Sequence, residues 1–155
     1  MLEQLNQILM SNQIYFRGTS EGYPGGRVAQ RIGITPATTD PLVATIFATE
    51  SQNYGQGIVL IATEADLTGV KITEGNVLAS LEAEVGVQIV PLDFAARASI
   101  TITAQDARHL VTQMGFTIPS IITDYDSLSI ALRNTPRLNP KQIQRFVQKA
   151  LELSR

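Results

Sequence analysis

The sequence predicts a single α+β domain, with a β-rich centre and helices at both ends. Three observations predict it. The 155 residues suffice for one domain with a real core and are too few for two comfortable ones. The run Gly57-Ile58-Val59-Leu60-Ile61-Ala62-Thr63 is continuously apolar and β-branched, the pattern of a strand buried on both faces. Apolar residues recur at helical spacing near both termini, at Leu2, Leu5, Ile8 and Leu9 and again at Ile143, Phe146, Val147, Ala150 and Leu151.

Taken in order, the N-terminal stripe predicts a short amphipathic helix ending near Ser11-Asn12. Gln13 to Phe16 reads as a strand that ends at Arg17-Gly18, which makes Arg17 a charge at a strand end. Glu21-Gly22-Tyr23-Pro24-Gly25-Gly26 is a loop, because glycine and proline dominate it, and its spacing fits no phosphate-binding motif. Ile34 to Thr39 predicts a short strand. Asp40-Pro41 follows as N-cap and first helical residue, with Val43, Ala44, Ile46 and Phe47 as the buried stripe. After the central strand, Leu81 to Val90 alternates in part, and Ser99 to Thr103 predicts one more strand.

The last third changes character. Thr103-Ala-Gln-Asp106 is a capping box ahead of Leu110, Val111 and Met114, with Gly115 as the stop. A second helix spans Asp126 to Arg133, and Asn139-Pro140 caps the last. Residues 1–155 thus form one domain, with a core over 13–103 and a helical C-terminal extension over 104–155.

Composition narrows the function classes. With 44% hydrophobic and 17% charged residues the chain is too apolar for disorder. Its net charge of -2 and the lack of a Lys/Arg block give no nucleic-acid or anionic-membrane footprint. The absence of cysteine removes disulfides, a cysteine nucleophile and thiolate zinc sites, and the single histidine removes His-rich metal sites. No apolar run reaches the roughly 18 residues of a membrane span. Glu3 and the missing basic segment argue against a classical signal peptide, so a cytoplasmic protein, or one delivered by another route, is expected.

Glu82-Ala83-Glu84 is the strongest candidate for chemistry. In a strand, residues i and i+2 share a face, so both carboxylates project together, about 6.5–7 Å apart. Like charges at that distance raise a pKa, which suits acid-base work, although such a pair is also common on solvated strand faces. Arg17 offers a fork that can grip a diphosphate, and Thr38-Thr39 put hydroxyls just ahead of a helix start. Weaker candidates are His109, one turn after Asp106, and Asp124-x-Asp126, a cation-type pattern in which Asp126 also fits an N-cap.

The order of these pieces is more telling than any one of them. Arg17-Gly18-Thr19, the hydroxyl cluster before "DPLVATIFA", the "GIVLIAT" strand and "EAEVGVQIVP" together resemble the ADP-ribosyltransferase family, in its Arg-Ser-Glu branch, over positions 13 to 103. The resemblance implies a mixed or antiparallel, sandwich-like β core with flanking helices, and NAD as substrate. It implies that Arg17 holds the NAD phosphates and the Gly18 backbone bonds the nicotinamide amide. Thr38 or Thr39 orients the catalytic glutamate, and Phe47 or Tyr54 flanks the nicotinamide. Glu84 bonds the nicotinamide ribose and stabilises its oxocarbenium-like charge, while Glu82 takes a proton from the acceptor.

One departure concerns the Ser-Thr-Ser strand. Mapped onto Ala37-Thr38-Thr39 it loses its first hydroxyl; shifted by one it makes Thr38 the positioning residue and puts Asp40 third. The expected function is mono-ADP-ribosylation of a protein side chain, arginine first, by a toxin, effector or regulator. NAD glycohydrolysis and an inactive interaction module on the same scaffold are the alternatives.

Overall fold

The structure, a computed structural model, describes residues 14–21, 34–63, 66, 73–74, 88–91 and 94–154. The predicted helix over 2–9, most of the 21–26 loop and the 81–87 part of the predicted strand lie outside the described residues. Helix and strand are mixed, as expected. The strands are β1 (Ile14–Ser20), β2 (Ile34–Ala37), β3 (Gly57–Thr63), β4 (Thr73–Glu74), β5 (Gln88–Pro91) and β6 (Ile100–Thr103). The helices are α1 (Pro41–Ser51), α2 (Phe94–Arg97), α3 (Ala104–Gln113), α4 (Tyr125–Asn134) and α5 (Pro140–Leu153). Two three-stranded antiparallel sheets result, ordered β1-β3-β6 and β2-β5-β4.

β3 is the central strand that its β-branched run predicts, paired on both sides and buried almost throughout. β1 corrects the sequence reading. It does not stop at Arg17-Gly18: Gly18, Thr19 and Ser20 continue the ladder opposite Val59, Ile58 and Gly57. The Gly-Thr-Ser sequence looks like a turn locally. Gly18 is needed instead because α1 crosses close above it, where a Cβ would lie 1.8 Å from the Ala44 carbonyl oxygen. Gly57, opposite Ser20, meets the Ala48 carbonyl in the same way, at 2.4 Å. Small residues on helix and strands let the two backbones approach. Arg17 therefore sits mid-strand, buried.

α1 begins where Asp40-Pro41 predicts, but it is buried around nearly its whole circumference rather than along one stripe. Its threonines remain satisfied by bonding back into the helix: Thr45 Oγ1 donates to the Pro41 carbonyl at 2.7 Å and Thr49 Oγ1 to that of Thr45 at 2.9 Å. Thr103 caps α3, accepting the Asp106 N–H at 3.0 Å, and Gly115 ends that region with φ +94°. α4 starts earlier than predicted. Asp124, not Asp126, is its N-cap, because Ser127 stands at the third helical position and completes a reciprocal pair of bonds. Asn139 and Gln142 form the same device ahead of α5.

One face of the β1-β3-β6 sheet presents Phe16, Val59, Ile61, Ile100 and Ile102 to α1 and the C-terminal helices in a continuous apolar cluster. Phe16 meets Phe146 of α5 edge-on, at 6.0 Å between ring centres and 81° between planes. The opposite face carries a smaller cluster of Tyr15, Leu60 and Ala62 with Ala37. No helix among the described residues is long and apolar enough to cross a membrane.

Candidate functional site

Among the described residues the two sheets meet at one β-bridge. Phe16 and Thr38 exchange both backbone bonds, Phe16 N–H to the Thr38 carbonyl at 2.7 Å and Thr38 N–H to the Phe16 carbonyl at 2.8 Å. In an antiparallel ladder the residues that point to a given neighbour alternate. Phe16 therefore faces Thr38, Arg17 faces β3, and Gly18 turns its N–H and C=O to the Thr38 side again. The next partner in that register is Pro36, which has no N–H to give. There the ladder ends, with β2 paired to β5 instead through Pro36 opposite Ile89. Among the described residues nothing pairs with the Gly18 backbone on that edge.

A pocket of about 40 Å³ opens at this break, lined by Phe16, Arg17, Gly18, Ala37, Thr38, Ala44 and Phe47. About 10–15 Å³ of such volume holds one water, so the pocket has room for a group of a few heavy atoms. It combines an apolar wall, a backbone edge and a hydroxyl, with Arg17 also in its lining. Arg17 is 8% exposed and engages another group of the chain. Thr38 Oγ1 accepts the Asp40 N–H at 3.1 Å, and no described residue accepts its proton.

Asp40 holds the corner. Its Oδ1 accepts the Leu42 N–H at 2.8 Å, capping α1, while Oδ2 accepts the Leu138 N–H at 2.9 Å from the segment ahead of α5. Burial pushes this carboxyl above the usual range; the N–H groups of Leu138 and Leu42 and the Arg137 charge pull it back only in part. One residue thus ties Thr38, the start of α1 and the C-terminal helices together.

Of the residues expected from the sequence, the structure brings Arg17, Gly18, Thr38 and Phe47 to one pocket, Phe47 doubling as a half-buried core residue. Thr39 lies beyond the strand and outside the pocket lining. Tyr54 does not join them. It is 74% exposed on the 3-10 turn after α1, which Asn53 fixes by donating to the Ile122 carbonyl. Glu82 and Glu84 lie outside the described residues. His109 is exposed and sits 3.2 Å from the Gln113 amide rather than against Asp106. No group of three metal-ligating side chains occurs among the described residues.

Two contributors were not anticipated: Ala44 as pocket wall and Pro36 as the end of the ladder. A signal existed for Pro36 alone, since a proline inside a predicted strand marks an open edge. No protein-family model matches the chain, and neither the curated proteins nor the solved structures contain a significant match.

Proposed function

We propose that this chain is an NAD-dependent mono-ADP-ribosyltransferase of the Arg-Ser-Glu type that modifies a protein side chain, with arginine as the first candidate acceptor. The observation that carries the reading is the convergence of Arg17, Gly18 and Thr38 on one small pocket at a broken sheet edge. An open backbone N–H and C=O pair is what a carboxamide needs, since it offers one acceptor and two donors. The nicotinamide amide would bond the Gly18 edge, with Phe47 along the ring and Arg17 toward the phosphates.

In the reaction, the bond from the ribose C1′ to the nicotinamide nitrogen breaks and its electron pair leaves with neutral nicotinamide. The positive charge that develops on the ribose calls for a nearby carboxylate, assigned to Glu84 with Thr38 as the hydroxyl that orients it. The acceptor nitrogen then bonds C1′ and its proton passes to Glu82. The site requires a carboxylate at the ribose and a gripped diphosphate, and the ADP-ribosyltransferase fold would supply both.

The test is nicotinamide release from NAD by the purified protein, with label followed onto protein or into free ADP-ribose. Transfer is expected to protein; label found only as free ADP-ribose replaces the transferase by a glycohydrolase. Arg17→Lys keeps the charge and loses the fork, so NAD affinity should fall about tenfold. Calorimetry that finds no NAD binding to the wild type overturns the reading in favour of an interaction module.

A further inference from the structure

Among the described residues that line the pocket, Thr38 brings the one hydroxyl. It stands opposite Phe16 in the bridge, and residues directly opposite in an antiparallel pair carry their side chains on the same face. Phe16 packs with α1 in the main apolar cluster, and Ala44 and Phe47 of that helix wall the pocket. The hydroxyl is therefore on the pocket side of its strand. A threonine oxygen can accept two bonds and donate one. The Asp40 N–H, at 3.1 Å, takes an accepting position and so turns the hydroxyl proton away from Asp40; among the described residues nothing accepts that proton. The residue behind this N–H is clamped. Its Oδ1 accepts the Leu42 N–H at 2.8 Å, and its Oδ2 accepts the N–H of Leu138, 98 positions along the chain, at 2.9 Å.

We infer that Asp40 is a positioning residue for Thr38: it fixes the Thr38 hydroxyl as a hydrogen-bond donor toward the pocket and makes that setting depend on the segment ahead of α5. Asp40 does this without lining the pocket itself. Capping α1 needs one side-chain oxygen. The second oxygen reaches the C-terminal segment, so the last helices brace the site as well as the core. A hydroxyl fixed in this way serves a group that accepts a hydrogen bond, a carboxylate or a carbonyl oxygen, and not one that donates. This inference rests on the transferase reading only in naming that acceptor, the carboxylate of Glu84.

The experiment compares four full-length proteins: the wild type, Asp40→Asn, Thr38→Val and the two changes combined. Asparagine keeps the cap on Leu42 and loses the bond to Leu138. Proton exchange of the amide at position 40, followed by NMR and corrected for side-chain identity, should quicken about tenfold in both single variants. The Phe16 amide, bonded to the Thr38 carbonyl, should keep its protection. In nicotinamide release each single variant should lose about fivefold in kcat with an unchanged KM for NAD, the worth of one oriented hydrogen bond. The combined variant should lose no more than Thr38→Val alone, because Asp40 acts through that hydroxyl; a merely structural role would add its own cost. Unchanged exchange at position 40 in Asp40→Asn, equal loss of protection at Phe16, or additive losses in kcat overturns the inference and leaves the transferase standing. Exchange needs no NAD, so the two readings fail separately. The expected exchange without nicotinamide release from the wild type sinks the transferase and supports the setting of the hydroxyl.

Discussion

Removing the Asp40 side chain tests the corner of the site most directly. Asp40 is 7% exposed and its two oxygens accept from Leu42 and Leu138. Asp40→Ala deletes an N-cap, about 1 kcal/mol, and strands the Leu138 N–H, about 1–3 kcal/mol. Relief of burying a charge works the other way and keeps the total near the lower end, about 2 kcal/mol. For a chain of this size that is a fall of about 4–8 °C in melting temperature. Asp40→Asn divides the effect, since asparagine caps a helix as well as aspartate but turns an N–H₂ donor toward Leu138. The asparagine variant should lose the tether alone and the alanine variant both bonds. Scanning calorimetry at neutral pH reads all three proteins. If the alanine variant melts within about 1 °C of the wild type, Asp40 holds nothing and the linkage between Thr38 and the C-terminal helices is wrong. The pH dependence carries a second check. Burial raises the folded-state pKa of Asp40 above its ordinary value, so its contribution is fully present below the unfolded pKa and is lost as pH rises through the folded one. The wild type should thus lose stability relative to Asp40→Asn as pH climbs out of the acid range, and a gain in that window contradicts the assignment.

The remaining perturbations separate packing from binding. Gly18→Ala drives a methyl group into the Ala44 carbonyl, 1.8 Å away, and should cost about 3 kcal/mol or more by thermal melting. A variant as stable as the wild type would mean that α1 does not sit there. Phe146→Ala removes a fully buried ring from the edge-to-face pair with Phe16 and should cost about 3–5 kcal/mol, read as a shift of the urea midpoint. Thr19→Val replaces a buried hydroxyl that has no partner among the described residues by a methyl group of the same shape and should raise the melting temperature, by about 2–4 °C for 1 kcal/mol. A lower melting temperature would show that the hydroxyl is bonded.

What the sequence disclosed follows from how local each signal is. The β3 run is a burial pattern complete within seven residues, and it predicted the strand from Gly57 to Thr63 to the residue. Asn139-Pro140 likewise carries its helix start in its own chemistry. β1 was misread because Gly18 answers to a helix backbone in another element, and nothing in Arg-Gly-Thr-Ser announces that contact. The sequence offered Asp126 as the cap of its helix, and the serine three residues past Asp124 makes Asp124 the cap instead. For the site, Arg17, Gly18 and Thr38 were singled out by their order along the chain, and all three line one pocket. Tyr54 stands apart from that pocket. An aromatic near the end of α1 looked available, but the side chains of Gln52 and Asn53 bond the 120–122 segment and fix the turn with the ring in solvent.

The same atoms that make the pocket also hold the fold, and this shapes how any variant must be interpreted. Gly18 lends its backbone edge to the pocket and its missing side chain to α1; Phe47 lines the pocket and packs on the core; Asp40 steadies Thr38 and anchors the C-terminal segment. Loss of NAD binding in any of these three positions is ambiguous until stability is measured beside it, whereas Arg17→Lys leaves the main apolar cluster untouched. An unpaired strand edge is ordinarily a liability, open to pairing with another chain. Here the opening is confined, because the Phe16–Thr38 bridge closes it on one side and α1 roofs it. The proline that ends the ladder therefore does more than interrupt a sheet: among the described residues it leaves the Gly18 backbone edge unpaired, beside a pocket that Arg17 and Thr38 also line.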